Sequence, residues 1–490
     1  MRNATRIIFV TSEVTPFSKT GGLADVCGAL PKALADLGER VAVFSPLYPS
    51  VEKVKKEKLI IKYVAPIIKV GERIKMTSVR NLQQSGVDFY FIEESEYFRR
   101  EFLYGSEQGD YPDNAQRFIF FCKAVLESII GLKIKPFVIH SHDWQTALIP
   151  LYLKTIYAHH PSFLKTKSVF TIHNLGYQGI FPQATFYDIG IPEKYFTQEG
   201  LEFYGKVNFL KAGLLFADKL TTVSPTYAKE IQTKDFGFGL EGVLAKRQAD
   251  LSGILNGIDY SIWHPAEDRY IKPNYDLKTI EAKAKIKAKV LKKLNLDLPI
   301  SAPLISFIGR LTIQKGIELI IEAIKAGLLD NAGLIILGMG EEKYHKSLLS
   351  LQEQFKKKIS VNLSFNEPLA HQIYAGSDIF LIPSRYEPCG LGQMIALKYG
   401  TIPIGFKTGG LKDTIIDYAE NPKAGNGFLF TSYNAKSFIE KIKSAIQIYQ
   451  EKEEWLKIVE RAMSADFSWD KRAQEYLRLY HKLSPTTSQD

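Results

Sequence analysis

Residues 6–38 read RIIFVTSEVTPFSKTGGLADVCGALPKALADLG, and this stretch decides the fold class. The apolar run at its start predicts a buried strand, and TPFSKTGG predicts the loop that follows it. Leu23, Val26 and Leu30 are spaced as on one face of a helix, and Gly38 is typical of the residue that ends one. A buried strand followed by a helix is the repeating unit of a parallel sheet covered on both faces.

The same alternation of predicted strands and helices continues along the rest of the chain, in two successive series. Further strand candidates are RVAVFSPLY, VDFYFIEE, FVIHSH, SVFTIHN and KLTTVSP in the first series, and LISFIGRL, LIILGMG, DIFLIPSR and TIPIGF in the second. The second series begins after about residue 258, where Pro265 and Pro273 interrupt the pattern. We therefore expect an α/β protein with two doubly wound, Rossmann-like lobes at 1–260 and 261–466, and a terminal helix within 467–490.

Length and composition are those of a multidomain globular protein. The chain has 490 residues, 45% of them hydrophobic and 24% charged, which is too long for one ordinary core. No stretch approaches the roughly 20 apolar residues of a membrane span. The N-terminus, MRNATRIIFV, has no secretion signal. We expect a cytoplasmic protein, or a plastid stromal one if a transit peptide has been removed.

The net charge of +10 raises the possibility of nucleic-acid binding. The densest lysine stretch is KAKIKAKVLKKL at 283–294. Ile286, Val290 and Leu291 form an apolar stripe within it at helical spacing. The pattern therefore favours a helix whose lysines form a solvated face, and we predict no nucleic-acid partner.

One five-residue sequence, KTGGL, occurs in each half, at 19–23 and at 407–411. Both copies lie between a predicted strand and a predicted helix. A glycine loop at that position can turn backbone N–H groups and a helix N-terminus toward an anion. The repeat therefore indicates paired ligand-binding loops.

Two more loops of the second half combine charge with glycine. GRLTIQKG at 309–316 places Arg310 and Lys315 after a strand, where a diphosphate could be held by charge-assisted hydrogen bonds. PSRYEPCGLG at 383–392 places Glu387 after another strand. That carboxylate could bind sugar hydroxyls while the N–H groups after it face the phosphate, although Glu387 could also simply favour a helix N-terminus.

Polar residues also end two strands of the first half, in TIHN at 171–174 and HSHDW at 140–144. Three histidines and an aspartate suggest a metal site, but their spacing supplies no zinc pattern. We predict that no metal is bound and that these groups suit sugar hydroxyls better.

These motifs together resemble the bacterial glycogen synthase and plastid starch synthase family, glycosyltransferase family 5. The matching stretches run in the family's order from about residue 6 to 420: SEVTPFSKTGGLADV, HSHDWQTALIPLYL, FTIHNLGYQGIF, KVNFLKAGLLFADKLTTVSPTYAKEI, FGFGLEGVL, LSGILNGIDYSIWHP, GRLTIQKG, IPSRYEPCGL and TGGLKDT. The resemblance implies the GT-B fold, with an active site in the cleft between the lobes and a terminal helix that returns to the N-terminal lobe. It also implies ADP-glucose as donor, an α-1,4-glucan as acceptor, and no cofactor or metal.

The resemblance also assigns expected roles to residues of this chain. The expected catalytic residues are Glu387, His173, Asp25, Arg310 and Lys315. The expected donor-binding residues are Lys19, Gly21, Gly22, Asn256, Arg310, Lys315, Gly390, Leu391, Thr408 and Gly409. Asp143 and Tyr111 are expected to contact substrate.

The sequence departs from the family's pattern at three positions of the second half. Gly392 stands where Thr or Asn is common, Phe406 where Arg is common, and Ile395 where Tyr is common. These departures predict weaker donor binding and leave ADP or UDP open as the nucleotide. A non-catalytic glucan-binding homologue and an enzyme with a small-sugar acceptor remain the alternatives.

Overall fold

The computed structural model of the protein describes residues 6–55, 58–106 and 109–483. These residues form two compact units. The N-terminal unit holds the described residues up to Asn256 and those from Trp469 onward, and the C-terminal unit is Gly257–Ser468. Within the described ranges no helix is both long enough and apolar enough to cross a membrane.

The N-terminal unit is built on one large sheet with helices against it. Its strands are β1 (Arg6–Val10), β2 (Arg40–Pro46), β3 (Ile60–Val70), β4 (Arg73–Gln84), β5 (Val87–Glu93), β6 (Gly105–Ser106), β7 (Gly109–Asp110), β8 (Val138–His142), β9 (Lys167–Ile172), β10 (Ile180–Pro182), β11 (Glu202–Phe203), β12 (Lys206–Asn208), β13 (Lys219–Thr222) and β14 (Leu251–Gly253). Its helices are α1 (Gly22–Asp36), α2 (Pro49–Lys55), α3 (Ser95–Phe98), α4 (Asn114–Gly131), α5 (Leu148–Lys154), α6 (Thr185–Ile189), α7 (Phe209–Phe216), α8 (Pro225–Glu230), α9 (Glu241–Lys246) and, at the far end of the chain, α18 (Trp469–His481).

The strand order of the large sheet is β14-β13-β9-β8-β1-β2-β5-β4-β3. The chain leaves β1 toward β2 on one side and later returns through β8 on the other, so the order reverses between β1 and β8. Loops at the carboxyl ends of strands at such a reversal form the usual binding crevice of open α/β sheets. The loops that carry Lys19, Asp143 and His173 follow the carboxyl ends of β1, β8 and β9.

The large sheet carries an antiparallel hairpin at one end, which the sequence analysis did not predict. Strands β3 and β4 form an antiparallel hairpin, and β4 also pairs antiparallel with β5. Neither β3 nor β4 was among the predicted strands. Ile60, Ile61 and Ile74 on this edge are more than half exposed, so the continuous apolar run that marks a buried strand is missing.

Helix α18 belongs to the N-terminal unit although it follows the whole C-terminal unit in the chain. Trp469, Ala473, Tyr476 and Tyr480 are buried in the hydrophobic core of the N-terminal unit. Full burial of one large apolar side chain contributes about 1.5–3 kcal/mol, so this helix is an integral part of that core.

The C-terminal unit has a six-stranded sheet in which every pair of neighbouring strands is parallel. Its strands are β15 (Leu304–Ile308), β16 (Gly333–Leu337), β17 (Ile359–Asn362), β18 (Ile379–Ile382), β19 (Ile402–Phe406) and β20 (Phe428–Phe430). Its helices are α10 (Ala282–Lys293), α11 (Ile317–Lys325), α12 (Glu342–Gln354), α13 (Glu367–Gly376), α14 (Gly392–Lys398), α15 (Gly409–Thr414), α16 (Ala435–Gln450) and α17 (Lys452–Ser464). The strand order β17-β16-β15-β18-β19-β20 reverses between β15 and β18, which places the loops of Lys315 and Glu387 at the reversal.

Helix α10 confirms the helix predicted from the lysine-rich stretch, but its lysines do not form one solvated face. Lys287 is buried, and its ammonium lies 2.6 Å from Asp378 and 2.5 Å from the carbonyl oxygen of Ala302. Lys283 donates to the carbonyl oxygen of Ala375 (2.9 Å). Long lysine stems can cross a helix face and end in a polar site, which a count of charges along the sequence does not reveal.

Candidate active site

The loop that follows β1 is organised around a buried carboxylate, that of Glu13, which is 3% exposed. It accepts hydrogen bonds from the backbone N–H and hydroxyl of Thr20, from the N–H of Gly21 (3.2 Å) and from the Tyr104 hydroxyl (2.7 Å). Four donors on one carboxylate satisfy a charge that would be costly to bury alone. Glu13 therefore fixes the shape of the first KTGGL loop.

Lys19 and Asp25 meet across the start of α1. The Lys19 ammonium lies 2.6 Å from Asp25 Oδ1, and both side chains are about a third exposed. A Cβ atom built on Gly21, the N-cap of α1, would have no heavy atom within 4 Å. The loop thus presents an ion pair beside open space, which is a suitable arrangement for a polar ligand.

The strand-end histidines are buried and bonded to one another and to the core. His140 hydrogen-bonds the Tyr480 hydroxyl (2.7 Å) and the Thr171 hydroxyl (2.5 Å), and His142 Nδ1 lies 3.1 Å from His173 Nε2. Burial lowers the pKa of His140 and of His142 well below its ordinary value, and lowers that of His173 to about 3. All three rings are therefore neutral, and the expectation that this whole group faces a sugar is wrong for His140 and His142, which are fully buried.

Asp143 follows β8 in a left-handed conformation, with φ of 55°. Its carboxylate accepts the backbone N–H of His173 (2.7 Å), so it holds the start of the loop after β9 in place. Burial raises the pKa of Asp143 to about 7. Within the described ranges, no group of three or more His, Cys, Asp or Glu side chains is arranged to hold a metal ion.

Asn256 and Tyr111 lie in different surroundings. The Asn256 side chain is 5% exposed, and its Oδ1 atom is buried without a hydrogen-bond partner among the residues the structure describes. Tyr111 donates its hydroxyl proton to the Phe102 carbonyl (3.3 Å) and has the Arg100 guanidinium 4.7 Å from its ring centre. Asn256 thus has a buried acceptor without a partner among the described residues, whereas Tyr111 is already used within its own loop.

In the C-terminal unit, Lys315 and Glu387 form a short ion pair. The Lys315 ammonium lies 2.5 Å from Glu387 Oε2, and the Ser384 hydroxyl donates to the same oxygen (2.7 Å). The Glu387 side chain is 7% exposed and that of Lys315 is 18% exposed. A cation and a carboxylate are therefore held together at the carboxyl ends of β15 and β18, with limited access to water.

Backbone contacts between two loops bring this pair together. The N–H of Arg385 donates to the Gln314 carbonyl (2.8 Å), and the Gln314 amide donates to the Tyr386 carbonyl (3.3 Å). Gly316 has φ of +72°, and a Cβ atom there would lie 2.0 Å from the Pro383 carbonyl oxygen. Only glycine tolerates that conformation and that approach, so Gly316 sets the distance between the two loops.

The second KTGGL copy packs onto the Glu387 loop from the other side. The N–H of Gly410 donates to the Glu387 carbonyl (3.0 Å). Gly409 has φ of +43°, and its Cβ would lie 2.0 Å from the same carbonyl oxygen. Thr408 is the N-cap of α15, while Gly390 (φ +73°) and Leu391 precede α14. These residues support Glu387 through the backbone.

The three departures from the family pattern lie in packed surroundings, and their effect on donor binding stays a prediction. Phe406 lies 5.3 Å from the Phe430 ring and 5.2 Å from the Tyr433 ring, centre to centre. A Cβ on Gly392 would lie 3.1 Å from the Phe380 ring, and Ile395 is 6% exposed. Lys407, which follows Phe406, is ion-paired to Glu420 at 2.5 Å.

The structure therefore brings the predicted residues together within each unit. Lys19, Gly21, Gly22 and Asp25 share one loop and the helix it begins, and Asp143 holds the backbone of His173. Lys315, Glu387 and Gly409 meet in the other unit, and exposed Arg310 belongs to the loop that carries Lys315. The roles of these residues stay predictions, as does their meeting in one cleft.

Sequence reasoning missed Glu13, although one signal was present. Glu13 is a charged residue three positions after Val10, the last residue of the buried strand β1. Loops at such strand ends often carry ligand-site residues. Its partner Tyr104 is distant in the sequence, so no local pattern could have joined the two.

Comparison with known proteins agrees with this architecture. Residues 6–246 match the family model described as the starch synthase catalytic domain, and residues 293–461 match that of glycosyl transferases group 1. The glycogen synthase of Geotalea uraniireducens is 46% identical over 97% of this chain and 98% of its own length. The glycogen synthase of Thermotoga petrophila is 44% identical, with the same two coverages.

Solved structures give the same relationship. The catalytic domain of starch synthase IV from Arabidopsis thaliana, bound to ADP and acarbose, superposes with a TM-score of 0.91 at 32% identity and covers 98% of this chain and 99% of that one. Sucrose-phosphate synthase from Thermosynechococcus elongatus, at 17% identity and a TM-score of 0.61, shares the fold alone. Full-length similarity to glycogen synthases, together with the two-unit α/β architecture, shows that this chain belongs to the glycogen and starch synthase family of glycosyltransferases.

Proposed function

We propose that this chain is a retaining glucosyltransferase that moves glucose from ADP-glucose to the non-reducing end of an α-1,4-glucan. Membership of the glycogen and starch synthase family supports the reaction. The observation that carries the proposal for the site is the ion pair of Lys315 and Glu387 at the strand-order reversal of the C-terminal unit. A cation there suits a diphosphate, and a mostly buried carboxylate suits the hydroxyls of a sugar.

In this proposal the C-terminal unit binds the charged part of the donor. Arg310 and Lys315 neutralise the diphosphate, with the backbone N–H of Leu391, just before α14, as a further donor. The Thr408 N–H already donates to the Phe406 carbonyl (2.8 Å). Glu387 accepts hydrogen bonds from the glucose. Because Glu387 already accepts from Ser384, the carboxylate stays oriented when Lys315 turns toward a phosphate.

The N-terminal unit supplies the groups that position the sugar and the acceptor. Lys19, Gly21 and Gly22 lie in the loop that Glu13 holds, with Asp25 on the adjacent helix. His173 is neutral, so it can present a hydrogen-bond donor or acceptor to a sugar hydroxyl without bringing a charge. Asn256 offers its buried Oδ1 atom.

We propose a front-face reaction. The bond between glucose C1 and the β-phosphate oxygen breaks while the 4-hydroxyl oxygen of the acceptor bonds C1 on the same face. The hydroxyl proton passes to the departing phosphate, so ADP leaves and the α configuration is retained. The protein's part is to orient the two substrates and to stabilise the charge of the leaving diphosphate. No metal is required in this scheme, because side chains and helix N-termini meet that charge.

The test is incorporation of labelled glucose from ADP-glucose and UDP-glucose, with glycogen, maltose and fructose as acceptors, before and after EDTA. We expect transfer to glycogen from ADP-glucose, unaffected by EDTA. Glucan binding without donor-dependent transfer would instead identify a non-catalytic homologue, and transfer to fructose alone would identify a small-sugar enzyme. Loss on chelation with rescue by magnesium or manganese would overturn the metal-free scheme.

A further inference from the structure

The C-terminal unit contains a cavity of about 440 Å³ that the proposed function does not use. None of its lining residues is among the candidate donor residues. The lining comes from the segment that precedes α10, from α10 itself and from α13: Arg269, Tyr270, Ile271, Lys272, Ile286, Lys289, Val290, Lys293 and Gln372.

Four of the nine lining residues are cationic and none is acidic. Among the residues the structure describes, no carboxylate lies within ion-pair distance of Arg269, Lys272, Lys289 or Lys293. Lys287 on the same helix differs, because it is buried against Asp378. Of the six lysines of α10, Lys287 is neutralised internally, whereas Lys289 and Lys293 contribute charge to the cavity without an acidic partner.

The cationic side chains are held in place by neutral partners. Lys289 donates to the Lys272 carbonyl (2.8 Å), and Lys293 donates to the Gln372 side chain (2.7 Å). Arg269 donates to the Tyr270 hydroxyl (2.6 Å) and lies 4.6 Å from the centre of that ring. An ammonium has three donors and a guanidinium five, so each side chain keeps donors for a ligand.

Arg269, Lys272, Lys289 and Lys293 are all exposed at the rim of the cavity, so water screens their mutual repulsion, and a bound anion would lower it further. The cavity also has an apolar wall, because Ile271, Ile286 and Val290 are each 2% exposed and line it. Its volume falls in the range of small-molecule sites, roughly 300–1,000 Å³. An anion with an organic body of modest size fits both features.

We propose that this cavity binds a phosphorylated small metabolite, of sugar-phosphate to nucleotide size, at a site separate from that of the donor. The phosphate contacts Lys289 and Lys293, and the guanidinium of Arg269 closes over it. Asp268, next to Arg269, accepts hydrogen bonds from the Tyr399 hydroxyl (2.6 Å) and is paired with His371 (2.7 Å). The cavity lining comes from the segment before α10, from α10 and from α13. A ligand here therefore links these three segments and stabilises the C-terminal unit.

The test uses the full chain and isothermal titration with fructose 1,6-bisphosphate, glucose 6-phosphate, ATP and pyrophosphate at low salt. Lys289→Ala with Lys293→Ala removes two cations from the cavity. Lys285→Ala with Lys292→Ala is the matched control, because it removes the same charge from the same helix at exposed residues that do not line the cavity. Titration of Lys315→Ala separates the cavity from the donor site.

We expect at least one probe to bind with a Kd below about 1 mM. The affinity should fall by about tenfold or more in the cavity variant, change by less than about twofold in the control, and persist in Lys315→Ala. The proposal is overturned if no probe binds, if both double variants weaken binding equally, or if Lys315→Ala alone abolishes it. Binding of duplex DNA in place of every small probe would also overturn it. The result is independent of glucosyl transfer, so failure of the proposed function would leave it interpretable.

Discussion

The two KTGGL loops have the same five residues and use them in opposite ways. In the first, the N–H of Gly21 faces the Glu13 carboxylate, φ is −155°, and a Cβ would meet only open space. In the second, Gly409 has φ of +43° and a Cβ would strike the Glu387 carbonyl at 2.0 Å. The space beside Gly21 is open and could hold a ligand, whereas the space beside Gly409 is occupied by the loop that carries Glu387.

The lysines of the two copies differ in the same sense. Lys19 is paired with Asp25 beside open space, while Lys407 is paired with Glu420 on the adjoining segment. A glycine pair after a strand therefore does not by itself identify a ligand loop. The neighbouring backbone decides whether the missing side chain is replaced by a ligand or by the protein.

The largest effect is expected at Lys315, the ion-pair partner of the Glu387 that the second copy supports. We expect Lys315→Ala to lower turnover by roughly two to three orders of magnitude, the scale of lost charge stabilisation at a reacting centre. Steady-state kinetics measure this, with Lys325→Ala on the same loop-helix segment as the exposed control. Near-unchanged turnover in a variant with native thermal unfolding would remove Lys315 from the site.

The comparison itself is tested by Gly409→Ala against Gly21→Ala. Ala at Gly409 must adopt positive φ at a cost on the order of 1–3 kcal/mol and must also displace the Glu387 carbonyl, so stability and activity should both fall. Ala at Gly21 should leave the free energy of unfolding within about 0.5 kcal/mol of wild type and raise KM for ADP-glucose. Urea unfolding and donor titration measure the two effects, and equal loss of stability in both variants would contradict the distinction.

A smaller contrast is expected between the two lysines. Lys19→Ala should lower kcat/KM by about 10- to 100-fold, equivalent to one charge-assisted contact with the substrate. Lys407→Ala should change kcat/KM by less than about twofold, since it removes only a partly exposed ion pair with Glu420. If both variants lose activity to the same degree, both copies face the ligand.

The smallest effect concerns the pH dependence of stability in the N-terminal unit. The histidine pKa values are lowered, so the unfolded chain binds more protons and stability falls as pH drops from about 6.5. The Asp143 pKa is raised from 3.8 to about 7, so in that window the folded chain binds more protons and offsets part of the loss. Asp143→Asn keeps an acceptor for the His173 N–H and removes the offset. Urea unfolding between pH 7 and 5 should therefore show a steeper loss in Asp143→Asn, and an unchanged slope would contradict the raised pKa.

Much of the fold could be predicted because buried parallel strands are marked by local apolar runs. The segment RIIFV became β1 at the centre of its sheet, and LISFI became β15 at the reversal of the other. The hairpin of β3 and β4 at the end of the sheet could not be predicted in that way, because its strands are partly exposed and carry polar residues among the apolar ones. The packing of α18 is determined by Tyr476 and Tyr480, which are buried in the core of the N-terminal unit, far away in the sequence. Local periodicity does not reveal such a contact.

The sequence located the charged residues of the candidate site, whose roles stay predictions, but not the contacts that hold them. Lys315 and Glu387 followed from their places after strands, and the structure brings them to 2.5 Å. The roles of Glu13, Ser384 and Gly316 depend on contacts between segments far apart in the sequence. His140 failed as a sugar ligand because a polar residue at a strand end can equally well face inward, here toward Tyr480.

Helix α18 has a consequence for the way this chain is made. A ribosome releases the strands of the N-terminal unit first and α18 only after all of the C-terminal unit has emerged. Until then the core is missing Trp469, Tyr476 and Tyr480, and the ring of His140 has no phenol to bond. The C-terminal unit, a continuous segment from Gly257 to Ser468, can complete its sheet during synthesis. The half that is translated first is therefore the half that finishes folding last.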